Sequence, residues 1–201
     1  MEFQLFLYVI IIISAVFHEF CHALAADSLG DPTARHLGRL TLNPIKHMEL
    51  FGTFILPLVL LFTAGGFLGW AKPVPYNPSN LRDHRFGSSK VAFAGPAANL
   101  ILALVFGLLL RLVSMDFMLT LAITWIVYIN ISLALFNLIP IPPLDGSKLL
   151  FDLFPRTQRL LMNFQIFGIF FALVVALFVV PPLAAGLYVV ITGTPFSAIS
   201  F

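Results

Sequence analysis

Five residues near the start of the chain, His18-Glu19-Phe20-Cys21-His22, have the types and spacing to do chemistry. On a helix, His18 and His22 stand one turn apart and share a face. Two imidazoles at that spacing chelate one metal ion, and the glutamate between them is close enough to take a proton from water activated there. Cys21 turns away from the histidine face and reads as a small packing residue. It is the single cysteine, which excludes an internal disulfide framework. The bland alternative is a chance match in an amphipathic helix. By residue frequencies the pentad arises by accident in well under about 1% of chains this long. Its flanks are apolar, through Tyr8, Ile10 to Ile13 and Val16. Ionisable residues are expensive in such a segment, so they point to function by default.

The elements that must hold this group are membrane helices. Of 201 residues, 60% are hydrophobic and 10% are charged. The mean hydropathy is +1.00. Several runs approach the roughly 20 apolar residues that span a bilayer. The expected fold is an all-α polytopic membrane protein, a bundle of about four to six membrane helices. The net charge of +2 points to no nucleic-acid partner. The first segment has neither a basic n-region nor an A-x-A pattern before the metal motif, so it is expected to be retained. The whole chain, 1–201, reads as one integral-membrane domain. Its core spans about 3–152 and its C-terminal helices about 160–193.

Along the chain, residues 3–29 form the first segment, ended by Gly30-Asp31-Pro32. Residues 33–48 alternate loosely between polar and apolar, which predicts a short strand or hairpin at the membrane face, with a plain basic loop as the alternative. Residues 50–70 are apolar but interrupted by Gly52, Pro57, Gly65, Gly66 and Gly69. Trp70-Ala71-Lys72-Pro73-Val74-Pro75 then leads into a polar loop ending near Lys90, the natural gate for water. Spans are expected over 91–113, 117–138 and 160–180. The last is expected to break at Pro181-Pro182. Asn99 is placed to hydrogen-bond across to the motif helix or to cap local backbone. Asn130 and Ser132 read as interhelical glue.

A catalytic zinc site needs a third protein ligand and an open position for water. Asp27 lies on a different helix face from the histidines. Asp145 follows Pro140-Ile141-Pro142-Pro143, whose prolines forbid a helix and are expected to hold the backbone extended. That would aim Asp145 back into the bundle and favours it over Asp152.

His18-Glu19-x-x-His22, the Gly95-Pro96-x-x-Asn99 turn and Asn137-x-x-Pro140-x-Pro142-x-x-Asp145-Gly146 together resemble the site-2 protease family of intramembrane zinc metalloproteases. The resemblance covers about 3–152. The Trp70-Ala71-Lys72-Pro73 loop is similar to a compact prokaryotic branch without PDZ or CBS domains. The resemblance implies one Zn2+ per chain, held by His18, His22 and Asp145. Glu19 would be the general base, and Asn137 would steady the substrate or its oxyanion. It implies hydrolysis of peptide bonds in or next to transmembrane segments of a protein or peptide substrate, in contact with membrane lipid. Residues 33–48 could hold an unwound substrate by adding it as a strand. The rival reading is a zinc-binding membrane protein that hydrolyses nothing, such as a metal carrier or an inactive relative that holds partner helices. Against it, the glutamate that an inactive relative could lose is present.

The metal model also constrains topology. His18 lies towards the C-terminal end of its segment, and Asp145 lies just past the end of 117–138. Both ends must face one side, so 50–70 should be re-entrant. Ten of the eleven basic residues then fall on one side, with Arg111 alone flanking the other. The positive-inside rule makes that side cytoplasmic. The protein is thus expected to be multi-pass in the cell's inner or plasma membrane, with a site opening towards the cytoplasm.

Overall fold

A computed structural model describes residues 2–55, 72–158 and 165–196. The described residues form helices and turns, with no strand among them. Four helices are long and apolar enough to cross a membrane: Glu2–Ser28, Gly87–Leu112, Phe117–Asn137 and Phe167–Thr192. Leu5, Ile13, Ile101, Phe178 and Val190 stand exposed along them, an apolar surface suited to lipid. The all-α polytopic reading holds. The chain forms two compact units, residues 1–84 and 85–201.

In the first unit, α1 (Glu2–Ser28) carries the histidine motif. The chain leaves it through Gly30 at φ +109°, where a Cβ would press on the Asn80 carbonyl and the Arg82 side chain, each at 3.2 Å. Residues 33–48 do not form the expected strand or hairpin. Instead, Pro32 leads into a four-residue helix, α2 (Thr33–His36). Asn43 then caps the 3-10 turn Pro44–Lys46, its side chain accepting from the Ile45 N–H at 3.1 Å. Short side chains that bond nearby backbone, with prolines that preset φ, outcompete a brief alternating pattern. No strand edge for pairing with a substrate exists there. Of residues 50–70, only Leu50–Ile55 are described, as a single π-helical turn. The expected re-entrant course lies outside the described residues.

The loop expected to gate water is tied down in its first half. The Lys72 N–H donates to the His47 carbonyl at 2.9 Å, and the Arg82 N–H to the Leu29 carbonyl at 2.9 Å. Between them sits Asp31, fully buried. Its carboxylate accepts from the Thr33 hydroxyl at 2.6 Å, the Asn77 N–H at 2.6 Å and the Asn80 amide at 2.8 Å. One carboxylate therefore joins the turn after α1 to residues 77–80.

In the second unit, α3 (Gly87–Leu112) starts four residues earlier than expected. The Asp152 carboxylate accepts from the Ser89 N–H at 2.9 Å and the Ser89 hydroxyl at 2.5 Å, which satisfies one of the helix's orphan donors. Helix α4 (Phe117–Asn137) is capped by Asp116, which accepts from the Leu119 N–H at 3.0 Å. Asn99 on α3 donates to Asn130 on α4 at 2.8 Å, both side chains buried. A short helix, α5 (Gly146–Leu153), follows, and then α6 (Gln165–Thr192). Residues 160–164 of the expected last span lie outside the described residues.

Contrary to expectation, α6 runs straight through Pro181 and Pro182. Each proline leaves a carbonyl one turn back without its usual donor, but prolines are tolerated in membrane helices where packing holds the segment. That packing is present: Ala184 and Tyr188 pack with Ala103, Ile123, Val127 and Ile131. The Tyr188 hydroxyl lies 3.2 Å from the Thr124 hydroxyl. At Gly107 a Cβ would collide with the Ile191 side chain, so α3 and α6 approach closely there.

Burial alone would push the Asp31 carboxyl up, but its hydrogen bonds from Thr33, Asn80 and Asn77 outweigh that and hold it below the usual carboxylate range. A lowered native value means that this contribution is complete above the unfolded value of about 3.9. It is lost as pH falls through the lower native value. Asp31→Asn should therefore melt lower than wild type at pH 7 and show a shallower decline into acid, read by thermal unfolding in detergent. A variant with the wild-type profile would contradict this.

Candidate metal centre

The 27 residues of α1 carry a continuous apolar pattern, so the helix does not break where the polar residues enter. His18 and His22, four apart, are both buried. Their Nε2 atoms lie 2.9 Å apart, and the rings meet edge to face with centroids 4.5 Å apart. Both rings thus turn the same nitrogen towards one point. Tetrahedral zinc with N ligands at about 2.0–2.1 Å asks for an N···N separation of about 3.3 Å, a small opening of this pair. Glu19, half-buried, completes a group whose ligand atoms all lie within 4.8 Å of one another. Among the described residues it is the single cluster of this kind. Cys21 is a free, half-buried thiol outside the cluster, in keeping with a packing role. The donor set of two imidazoles and a carboxylate suits a divalent ion of the zinc type.

The Glu19 carboxylate is held from outside its own helix. Its Oε2 accepts from the Val74 N–H at 2.8 Å. Val74 is buried against Ala23, Ala34 and Leu40. Neither Val74 nor Arg39, which bonds the adjoining Pro73 carbonyl, carries a sequence motif that marks this contact. A main-chain donor has no side-chain signature, although the flanking Pro73 and Pro75 were a visible clue to a fixed backbone.

Asp145 and Asn137 belong to the second unit. The stretch between them is not extended, as the prolines suggested, but folds through successive turns. The Leu144 N–H donates to the Ile141 carbonyl at 2.9 Å, and the Ser147 N–H to the Leu144 carbonyl at 3.1 Å. Proline's fixed φ is as compatible with turns as with extended chain. Asp145 sits at the N-cap of α5 in helical backbone conformation. It lines a cavity of about 440 Å³ with Phe86, Lys90, Phe93, Leu138, Pro140 and Leu149 among its walls. Asp152, the alternative carboxylate, is engaged in capping α3. The Asn137 amide donates to the Leu133 carbonyl at 2.9 Å, which uses one of its two N–H groups.

A protein-family model described as "Peptidase family M50" matches residues 6–120 and 113–181. The chain belongs to peptidase family M50. Among curated proteins, this M50 chain is 40% identical to YwhC of Bacillus subtilis over 88% of its own length and 81% of the relative's. It is 35% identical to Rip2 of Mycolicibacterium smegmatis over 86% of its length and 66% of the relative's. Both relatives are named putative zinc metalloproteases. No solved structure matches the chain. M50 membership makes the protein a metalloprotease, and four apolar helices make it one of the membrane.

Gly146 holds the turn that presents Asp145. A Cβ there would fall on the Leu138 carbonyl and lie 2.7 Å from the Ile139 carbonyl oxygen, both main-chain atoms with no room to yield. Gly146→Ala should cost about 1–3 kcal/mol of stability, as overpacking does. Gly186→Ala, at a helical glycine with open space around it, should be nearly silent. Unfolding midpoints in detergent test the pair, and equal effects would refute the account.

Proposed function

We propose that this protein is an intramembrane zinc metalloendopeptidase that cleaves peptide bonds in or next to transmembrane segments of substrate proteins, as in regulated intramembrane proteolysis. The observation that carries it is the convergence of the His18 and His22 Nε2 atoms with the Glu19 carboxylate inside an apolar helix. The names of the M50 relatives support zinc as the metal. His18 and His22 supply two ligands, and Asp145 is assigned as the third on its proline-turned, glycine-dependent placement at the end of α4 and on the engagement of Asp152 elsewhere. The two units together make up one catalytic domain.

Zinc held by these residues would supply Lewis acidity, lowering the pKa of water at the site and polarising a carbonyl. Glu19 takes the proton of the attacking water and returns it to the leaving amine. Asn137 keeps one amide N–H to offer a developing oxyanion, its other being spent on Leu133. A helical substrate hides its peptide bonds, so it must unwind locally, and helix-weak residues in the target lower that cost. The positive-inside rule orients the site towards the cytoplasm.

Glu19→Gln should abolish cleavage of a transmembrane or unfolded substrate in detergent while leaving about one zinc per chain, whereas a chelator should abolish it by removing the metal. Asp145→Ala should lower zinc content; full zinc would pass the third ligand to another carboxylate. Cysteine labelling should find positions beside Arg39 and Arg82 accessible from the same side, and labelling from opposite sides would overturn the topology.

A further inference from the structure

The peptide group between Pro73 and Val74 is gripped at both ends. Its N–H donates to Glu19 Oε2 at 2.8 Å, and its carbonyl accepts from Arg39 Nη1 at 2.7 Å. The other arm of the guanidinium, through Nη2 and Nε, reaches the Lys46 carbonyl at 3.0 and 3.3 Å. Arg39 is itself buried, with 8% of its surface exposed. A buried cation and a half-buried carboxylate are thus connected through one peptide plane. Each charge polarises the same amide, the guanidinium at the oxygen and the carboxylate at the hydrogen. Pro73 and Pro75 have no N–H, so Val74 supplies the one main-chain donor of this tripeptide. Each proline also restricts the residue before it to extended or polyproline backbone, which limits where the Val74 N–H can point. The Val74 side chain packs on Ala23 and Ala34, while the orientation of its N–H is set by the flanking prolines and by Arg39.

We propose that the Arg39-clamped Pro73–Val74 peptide sets the orientation of the Glu19 carboxylate, so that Arg39 and the Val74 amide are positioning groups for hydrolysis. This rests on the general-base role given to Glu19 above. Oε2 is held by the strap, which leaves Oε1 to face the water. An unclamped carboxylate rotates about its own bonds and meets the reacting proton less often in a productive geometry. Substrate binding does not pass through this contact. The expected signature is therefore a loss in kcat with KM preserved.

Four variants of the full-length, detergent-purified chain test this with fluorescent casein as the probe. Val74→Pro removes the N–H, whereas Val74→Ala keeps it and trims the side chain. Val74→Pro should lower kcat about 10- to 100-fold below Val74→Ala, with KM within about twofold and zinc content unchanged. Arg39→Gln should show the same split, and Arg39→Lys, which can still reach one carbonyl, should recover part of the loss. Independently of activity, the infrared carboxylate band of Glu19 is isolated by subtracting each variant's own Glu19→Gln partner. It should shift in Val74→Pro and Arg39→Gln but not in Val74→Ala. If Val74→Pro fails to fold, the Arg39 pair and the infrared band still decide. An unmoved band, or equal kcat for Val74→Pro and Val74→Ala, overturns the proposal. If wild type cleaves nothing, or Glu19→Gln cleaves as wild type does, the fault lies with the proteolytic reading instead, and a shifted band would still mark the clamp.

Discussion

Two imidazoles and a carboxylate placed on one turn of an apolar helix must each find a polar partner where water is scarce, because unanswered polar groups are costly there. The two histidines answer each other through Nε2. Glu19 is answered by a main-chain N–H that brings no net charge. Much of the first unit serves this second contact. Arg39 secures Pro73, His47 receives the Lys72 amide, and Asp31 fastens residues 77–80 to the turn after α1. Each tie alone is modest, about 1 kcal/mol for a typical hydrogen bond and more where a charge takes part. Together they tie down a segment that has no regular secondary structure over residues 72–77.

The second unit works by a related economy of polar groups. Lipid tails are as apolar as leucine, so helices there gain little by merely burying hydrocarbon against one another. Close approach and buried hydrogen bonds take over. Gly107 lets α3 and α6 approach, Asn99 meets Asn130, and Thr124 meets Tyr188. Asp152 reaches from α5 to start α3. The carboxylate that sequence alone left as the runner-up for the metal is thereby given structural work. Asp145, its near neighbour, is set by turn geometry at the end of α4.

The features most legible in the sequence were those with strong local periodicity. The four-residue histidine spacing and the long apolar runs predicted the motif helix and the main spans, because both follow from helix geometry. Where several local preferences compete, pattern misleads. Residues 33–48 alternate just enough to suggest a strand, yet Asn43-Pro44 and Pro32 prefer capped turns. Pro181-Pro182 reads as a break, yet α6 continues because Ala184 and Tyr188 pack beyond it. Pro140 to Pro143 read as extended but turn back on themselves. The Val74 amide was least visible of all, since its role depends on a contact spanning 55 residues.

The length of α1 has a consequence for transport of matter. At about 1.5 Å per residue, its 27 residues measure about 40 Å, beyond the roughly 30 Å of a hydrocarbon core. His18 lies ten residues before Ser28, about 15 Å down the axis from that end. The reactive pair therefore lies nearly three helical turns inside α1 from its C-terminal end. Every turnover has to carry a hydrophilic reactant in and two newly charged chain ends out across that distance.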